Sequence, residues 1–154
     1  MKKVLVAYFS GSGTTEKMAE YIAEGVRFSG NQAVVKSTED INAPAGLSGY
    51  DGYIFGSPTY SLDVPEPMKD FLKAAEKAGI EGKLAGAFGP YTHEVAYRHD
   101  NHAPAIILDT LGDKLKMEQF DLGAFVLQED VVEKGEGMET CQDYGRAFGE
   151  KLGS

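Results

Sequence analysis

Apolar and polar positions change rhythm repeatedly along this chain. Residues 3–9 (KVLVAYF) form a nearly unbroken apolar run, short enough for a strand buried on both faces. Residues 15–28 switch to helical spacing, with Met18, Ile22, Ala23 and Val26 on one face. Ser29-Gly30-Asn31 then turns the chain into residues 32–37, a β-branched segment that reads as a second strand. Residues 39–48 hold Pro44 and Gly46 and read as irregular. Strands are predicted again over 52–56 (GYIFG), 83–89 and, uninterrupted, 118–127. Helical patterns cover 65–78, 104–115 and 138–152. The prolines at the start of the first of these fall where a missing N–H is harmless. Gly135-Glu136-Gly137 marks a turn before the last helix.

Strands alternating with helices imply a parallel sheet covered by helices on both faces. No repeat, linker or low-complexity stretch divides the chain, so one domain over residues 1–154 is expected. In such a sheet ligands bind beyond the carboxyl ends of the strands, where strand order reverses. Three loops leave those ends, at residues 10–15, 57–64 and 90–102. All three are rich in glycines, hydroxyls or aromatics.

The first loop, Ser10-Gly11-Ser12-Gly13-Thr14-Thr15, joins a strand to a helix and contains only glycines and hydroxyl residues. This is the composition of a phosphate cradle: backbone N–H groups at a helix N-terminus face the anion, and the helix dipole favours its charge. With no lysine or arginine in the loop, the anion would be held by dipoles and hydroxyls alone. A Walker loop would need Gly-Lys-Ser/Thr. A dinucleotide fingerprint would need a third glycine, where Glu16 stands, and an acidic residue after the second strand, which ends Val34-Val35-Lys36-Ser37. A phosphoacceptor receiver would need acidic residues where Ser10 and Ser57 stand.

Charge narrows the partners. With 24 Asp and Glu against 15 Lys and Arg, the net charge is −9. Such a surface repels nucleic acid and anionic membrane and favours partners with basic docking patches. The pattern holds no apolar run long enough to span a membrane and no signal-peptide pattern, so a cytoplasmic monomer is expected. The single cysteine, Cys141, has no activating motif beside it and reads as structural.

The loop fits the hydroxyl-x-hydroxyl-Gly-x-Thr pattern of the flavodoxins, and this chain resembles that family over nearly its whole length. The stretches VLVAYFSGSGTTEKM (4–18) and FGSPTYSLDVPEPMKDFL (55–72) are also similar to the flavodoxin domains of flavodiiron proteins and related quinone reductases. Phe88-Gly89-Pro90-Tyr91 resembles their third flavin loop. The resemblance implies a three-layer α/β/α sandwich on a five-stranded parallel sheet of order 2-1-3-4-5, binding FMN at the switch point. It implies that Ser10, Gly11, Ser12, Gly13, Thr14 and Thr15 hold the phosphate. Ser57, Pro58, Thr59 and Tyr60 would line one side of the ring system, and Gly89, Pro90, Tyr91, Thr92 and His93 the other. Tyr60 and Tyr91 are the stacking candidates. The implied activity is low-potential electron transfer between redox partners, with the flavin supplying the chemistry and no catalytic side chain. The alternative on the same fold is an FMN-dependent NAD(P)H-quinone reductase.

Two departures from the family stand out. Residues 59–63 (TYSLD) offer no glycine for the peptide flip that stabilises a half-reduced flavin. At a non-glycine residue the flip costs about 1 kcal/mol or more. The third loop also looks long and carries all three histidines, His93, His99 and His102. Their spacing, with Asp100, matches no metal template, so they are expected to shape the flavin rim or a partner surface. A charged His93 near the ring would raise the flavin potential.

Overall fold

The structure is a computed structural model and describes residues 1–60, 63–92 and 102–153. Strand β1 (Lys3–Tyr8) pairs in parallel with β2 (Gln32–Ser37) on one side and β3 (Gly52–Gly56) on the other. Strand β4 (Leu84–Tyr91) pairs with β3 and carries β5 (Glu118–Gln119) and β6 (Phe125–Gln128) along its outer side. The order is β2-β1-β3-β4-β5, with β6 also on β4. This is the expected parallel order, with its reversal between β1 and β3.

Each central strand serves two cores by strict alternation. Leu5, Ala7, Tyr53, Phe55, Ala85 and Ala87 point into one, with α2 (Glu66–Ala75) and α3 (Ala103–Asp113). Val4, Val6, Ile54, Leu84 and Phe88 point into the other, with α1 (Thr14–Phe28) and α5 (Met138–Leu152). This explains the unbroken apolar runs: a strand covered on both faces has no polar side to show. The second core seats large rings on sheet glycines. A Cβ on Gly52 would lie 2.9 Å from the Phe148 ring, and one on Gly86 would lie 2.7 Å from the Tyr144 hydroxyl. Cys141 is fully buried on α5, and burial pushes its thiol up to about 12, so it is no nucleophile at neutral pH.

The fifth strand departs from expectation. Residues 118–127 are not continuous: the Phe120 N–H still bonds the Ala85 carbonyl, but the chain then turns, Gly123 N–H donating back to the Phe120 carbonyl at 2.9 Å. Gly123 takes φ +77°, a left-handed conformation suited to glycine, and pairing resumes at Phe125. Tyr144 fastens the break, its hydroxyl 3.2 Å from the Gly123 carbonyl and its ring stacked on Phe125 at 4.9 Å. A short helix that the pattern does not announce, α4 (Glu129–Glu133), follows β6 directly. Helix α2 is shorter than the expected 65–78, and α3 begins one residue early, at Ala103.

Candidate functional site

The loops after β1, β3 and β4 emerge at one end of the sheet, on either side of the switch between β1 and β3. The first is held in shape by its own hydroxyl: the Gly13 N–H donates to Ser10 Oγ at 2.9 Å. Gly13 stands at φ +94° ahead of α1, and the first helical bond runs from Lys17 N–H to the Gly13 carbonyl. The N–H groups of Thr14, Thr15 and Glu16 precede that bond and have no carbonyl within the helix to meet. Together with the helix dipole they form an anion-seeking end.

The second loop closes down on the first. Tyr60 and Asp63 exchange backbone bonds of 2.9 and 3.0 Å. The Tyr60 side chain leans on Phe9 edge to face and over Gly11, where an added Cβ would lie 2.1 Å from the Tyr60 hydroxyl. Asp63 accepts from Lys69 Nζ at 2.7 Å and from the Val64 N–H at 2.7 Å. Those two bonds, the lysine first, hold its carboxyl below the usual aspartate value. Thr59 Oγ1 accepts the Ala103 N–H at 2.8 Å and so caps α3 from outside it. The second and third loops also touch through backbone, since a Cβ on Gly89 would lie 2.0 Å from the Ser57 carbonyl oxygen. Only glycine permits that approach.

Between the loops lies a cleft of about 470 Å³ lined by Gly11, Ser12, Pro58, Thr59, Tyr60, Pro90, Tyr91, Thr92 and Glu129. Eight of the sequence-predicted residues thus face one space. Ser10, Gly13, Ser57 and Gly89 shape its walls through the contacts above and through the 2.8 Å bond from Ser57 Oγ to the Pro58 carbonyl. Thr14 and Thr15 are buried in the first turn of α1. The Thr14 hydroxyl donates to Glu133 Oε1 at 2.9 Å, lies 3.3 Å from Glu129 Oε1 and lies 3.4 Å from Ser12 Oγ.

His93, His99 and Asp100 lie outside the described residues, as do Ser61 and Leu62 of the second loop. His102 is placed, and serves as the N-cap of α3, its Nδ1 accepting the Ala105 N–H at 3.3 Å. Among the described residues no group of three His, Cys, Asp or Glu is placed to hold a metal ion, and no helix is long and apolar enough to cross a membrane.

Sequence reasoning missed the fourth wall. A second hollow of about 250 Å³ adjoins the cleft, lined by Tyr91, Thr92, Gln128, Glu129, Asp130 and Glu133. The residues from Gln128 to Glu133 come from the end of β6 and α4, over a hundred residues from the first loop, and no local pattern ties the two.

A cleft of this size, with an anion-seeking helix end on one side and tyrosines on the walls, fits a phosphorylated planar cofactor. The doubly wound sheet and three-loop cleft define the class of flavodoxin-fold proteins. A flavodoxin domain model matches residues 5–89, more than half of the sequence, and the chain belongs to that family, whose members bind FMN.

A flavodoxin of Clostridium saccharobutylicum is 37% identical over 86 residues, 56% of this chain and 54% of that one. A probable flavodoxin 2 of Bacillus subtilis is 29% identical over 154 residues, covering 99% of this chain and 98% of that one. An NAD(P)H dehydrogenase (quinone) of Gluconacetobacter diazotrophicus is 33% identical over 118 residues, 64% of this chain and 59% of that one. Thus this chain spans little more than half of the first and third relatives and nearly all of the second. Oxidised flavodoxin 2 of Bacillus cereus superposes with a TM-score of 0.77 at 29% identity, covering 97% and 99% of the two chains.

Proposed function

We propose that this chain is an FMN-binding, low-potential electron carrier that passes electrons between redox proteins. The observation that carries the reading is the convergence of three loops, separate in sequence, on one cleft at the switch point. Bound FMN supplies the redox chemistry, taking up and releasing one or two electrons. The chain binds and orients it. The amides of the first turn of α1, with Ser10 and Ser12, take the phosphate. Pro58, Thr59 and Tyr60 line one side of the ring system, and Gly89, Pro90, Tyr91, Thr92 and His93 the other. Tyr60 and Tyr91 supply aromatic surface, and backbone groups of the third loop read the polar ring edge. The role needs no nucleophile or general base. The acidic surface suits partners with basic docking patches, met by a monomer in the cytoplasm.

The test is an anaerobic spectroelectrochemical titration after mixing with FMN. The expected result is saturable 1:1 binding with a final reduction step well below that of free FMN. A protein that takes up no FMN overturns the reading.

The similarity to an NAD(P)H dehydrogenase (quinone) supports a second reading, a flavin-dependent quinone reductase. Anaerobic mixing of the FMN-loaded protein with NAD(P)H alone separates the two. Rapid bleaching of the flavin, followed by turnover with a quinone, marks the enzyme; an oxidised flavin that needs a reductase marks the carrier.

A further inference from the structure

The carboxylates of α4 meet α1 at its first turn. Thr14 Oγ1 donates to Glu133 Oε1 at 2.9 Å and lies 3.3 Å from Glu129 Oε1. A hydroxyl has one proton. While a carboxylate holds that proton, Thr14 offers a neighbouring anion only lone pairs. Glu129 also lines the cleft, beside Gly11 and Ser12. Its charge therefore faces the same space as the loop donors, and residues 10–15 hold no lysine or arginine to offset it. Asp130 adds a third carboxylate to the adjoining hollow, with Lys134 3.9 Å away at the surface.

We propose that Glu129 and Glu133 set the affinity of the cleft for phosphorylated flavin. They turn the Thr14 hydroxyl away from the phosphate and place negative charge against it. The inference rests on the FMN-binding reading above. A phosphate of about −1.5 to −2 charge then contributes less to flavin affinity than the six-residue loop otherwise delivers. FMN loads reversibly, and preference for FMN over riboflavin is narrow.

The test measures dissociation constants for FMN and for riboflavin, by quenching of flavin fluorescence at one pH and ionic strength. The proteins are the unaltered chain, Glu129→Gln, Glu133→Gln, the double variant, and Glu81→Gln. Glu81 is exposed just before β4, at the opposite end of the sheet, and its loss reports bulk charge alone. Glu129→Gln and Glu133→Gln are each expected to tighten FMN about tenfold, the size of a charge repelling a dianion across a wet cleft. Riboflavin binding stays unchanged, as does FMN binding to Glu81→Gln. Equal tightening of riboflavin, equal tightening in Glu81→Gln, or no tightening of FMN overturns the proposal.

Thr14→Val gives an independent reading. Its loss costs little FMN affinity in the unaltered chain but weakens binding in the double variant, where the hydroxyl is free to turn. A full loss in the unaltered chain places the hydroxyl on the phosphate and overturns the proposal. An unaltered chain that takes up no FMN, whether or not it binds riboflavin, overturns the FMN reading and this inference with it. An unaltered chain that binds FMN while the cleft variants bind it no more tightly overturns this inference alone.

Discussion

Asp63 ties the second loop to α2 through Lys69, at 2.7 Å, and its carboxyl is held below the ordinary value of 3.8 chiefly by that lysine. A lowered carboxyl contributes stability that is present above its unfolded value and is lost as pH falls through its folded value. Substituting Asp63→Asn removes the ionised form at every pH. The melting temperature of the unaltered protein is therefore expected to exceed that of Asp63→Asn at neutral pH, and the gap to close as pH falls below 3.8. Because the Asp63 side chain is 48% exposed, the gap is small and shrinks in salt. Thermal melts of both proteins at several pH values check this, and a gap that widens in acid refutes it. Thr59 and Tyr60 were legible as cleft residues because the second loop follows an evident strand. The cap that Thr59 places on the Ala103 N–H was not, since nothing in a sequence shows which helix end a remote hydroxyl will meet.

Helices α1 and α5 approach each other through glycines placed against backbone. A Cβ on Gly145 would lie 1.9 Å from the Ile22 carbonyl oxygen, and one on Gly25 would lie 1.9 Å from that of Gln142. Backbone cannot step aside as a flexible side chain can. Gly145→Ala is thus expected to cost about 1–3 kcal/mol, the range for overpacking a close interface, despite the better helix propensity of alanine. At this size each 1 kcal/mol lowers the melting temperature by about 2–4 °C. Calorimetry of Gly145→Ala beside the unaltered protein checks it; an unchanged or raised melting temperature refutes a backbone-tight approach of the two helices. The elements themselves were largely legible, because strands covered on both faces read as runs and helices covered on one face read as stripes. The break in the fifth strand was hidden, as Phe120, Ala124 and Phe125 keep the run apolar while Gly123 turns the chain. Helix α4 was hidden because five residues hold too little period to announce a helix, and with it went the reach of Glu129 and Glu133 to Thr14.

Charge acts over the whole molecule. The chain carries −9 before any cofactor phosphate is added. Around the cleft, Asp63 stands on the second loop, Glu129 lines the cleft itself, and Asp130 and Glu133 line the adjoining hollow. A basic redox protein approaching from solution is drawn toward this end while the field reaches it, which depends on salt. The Debye length falls from about 30 Å at 0.01 M ionic strength to about 8 Å at 0.15 M. Stopped-flow oxidation of the reduced, FMN-loaded protein by a basic haem protein should therefore slow about tenfold or more across that range at fixed protein concentrations. The unimolecular step inside the complex, read at saturating partner, should not change, because salt screens the encounter and not the contact distance. A neutral small-molecule oxidant should show no such slope. If the basic partner and the neutral oxidant respond alike, steering is absent, and the acidity of the chain serves solubility rather than partner choice.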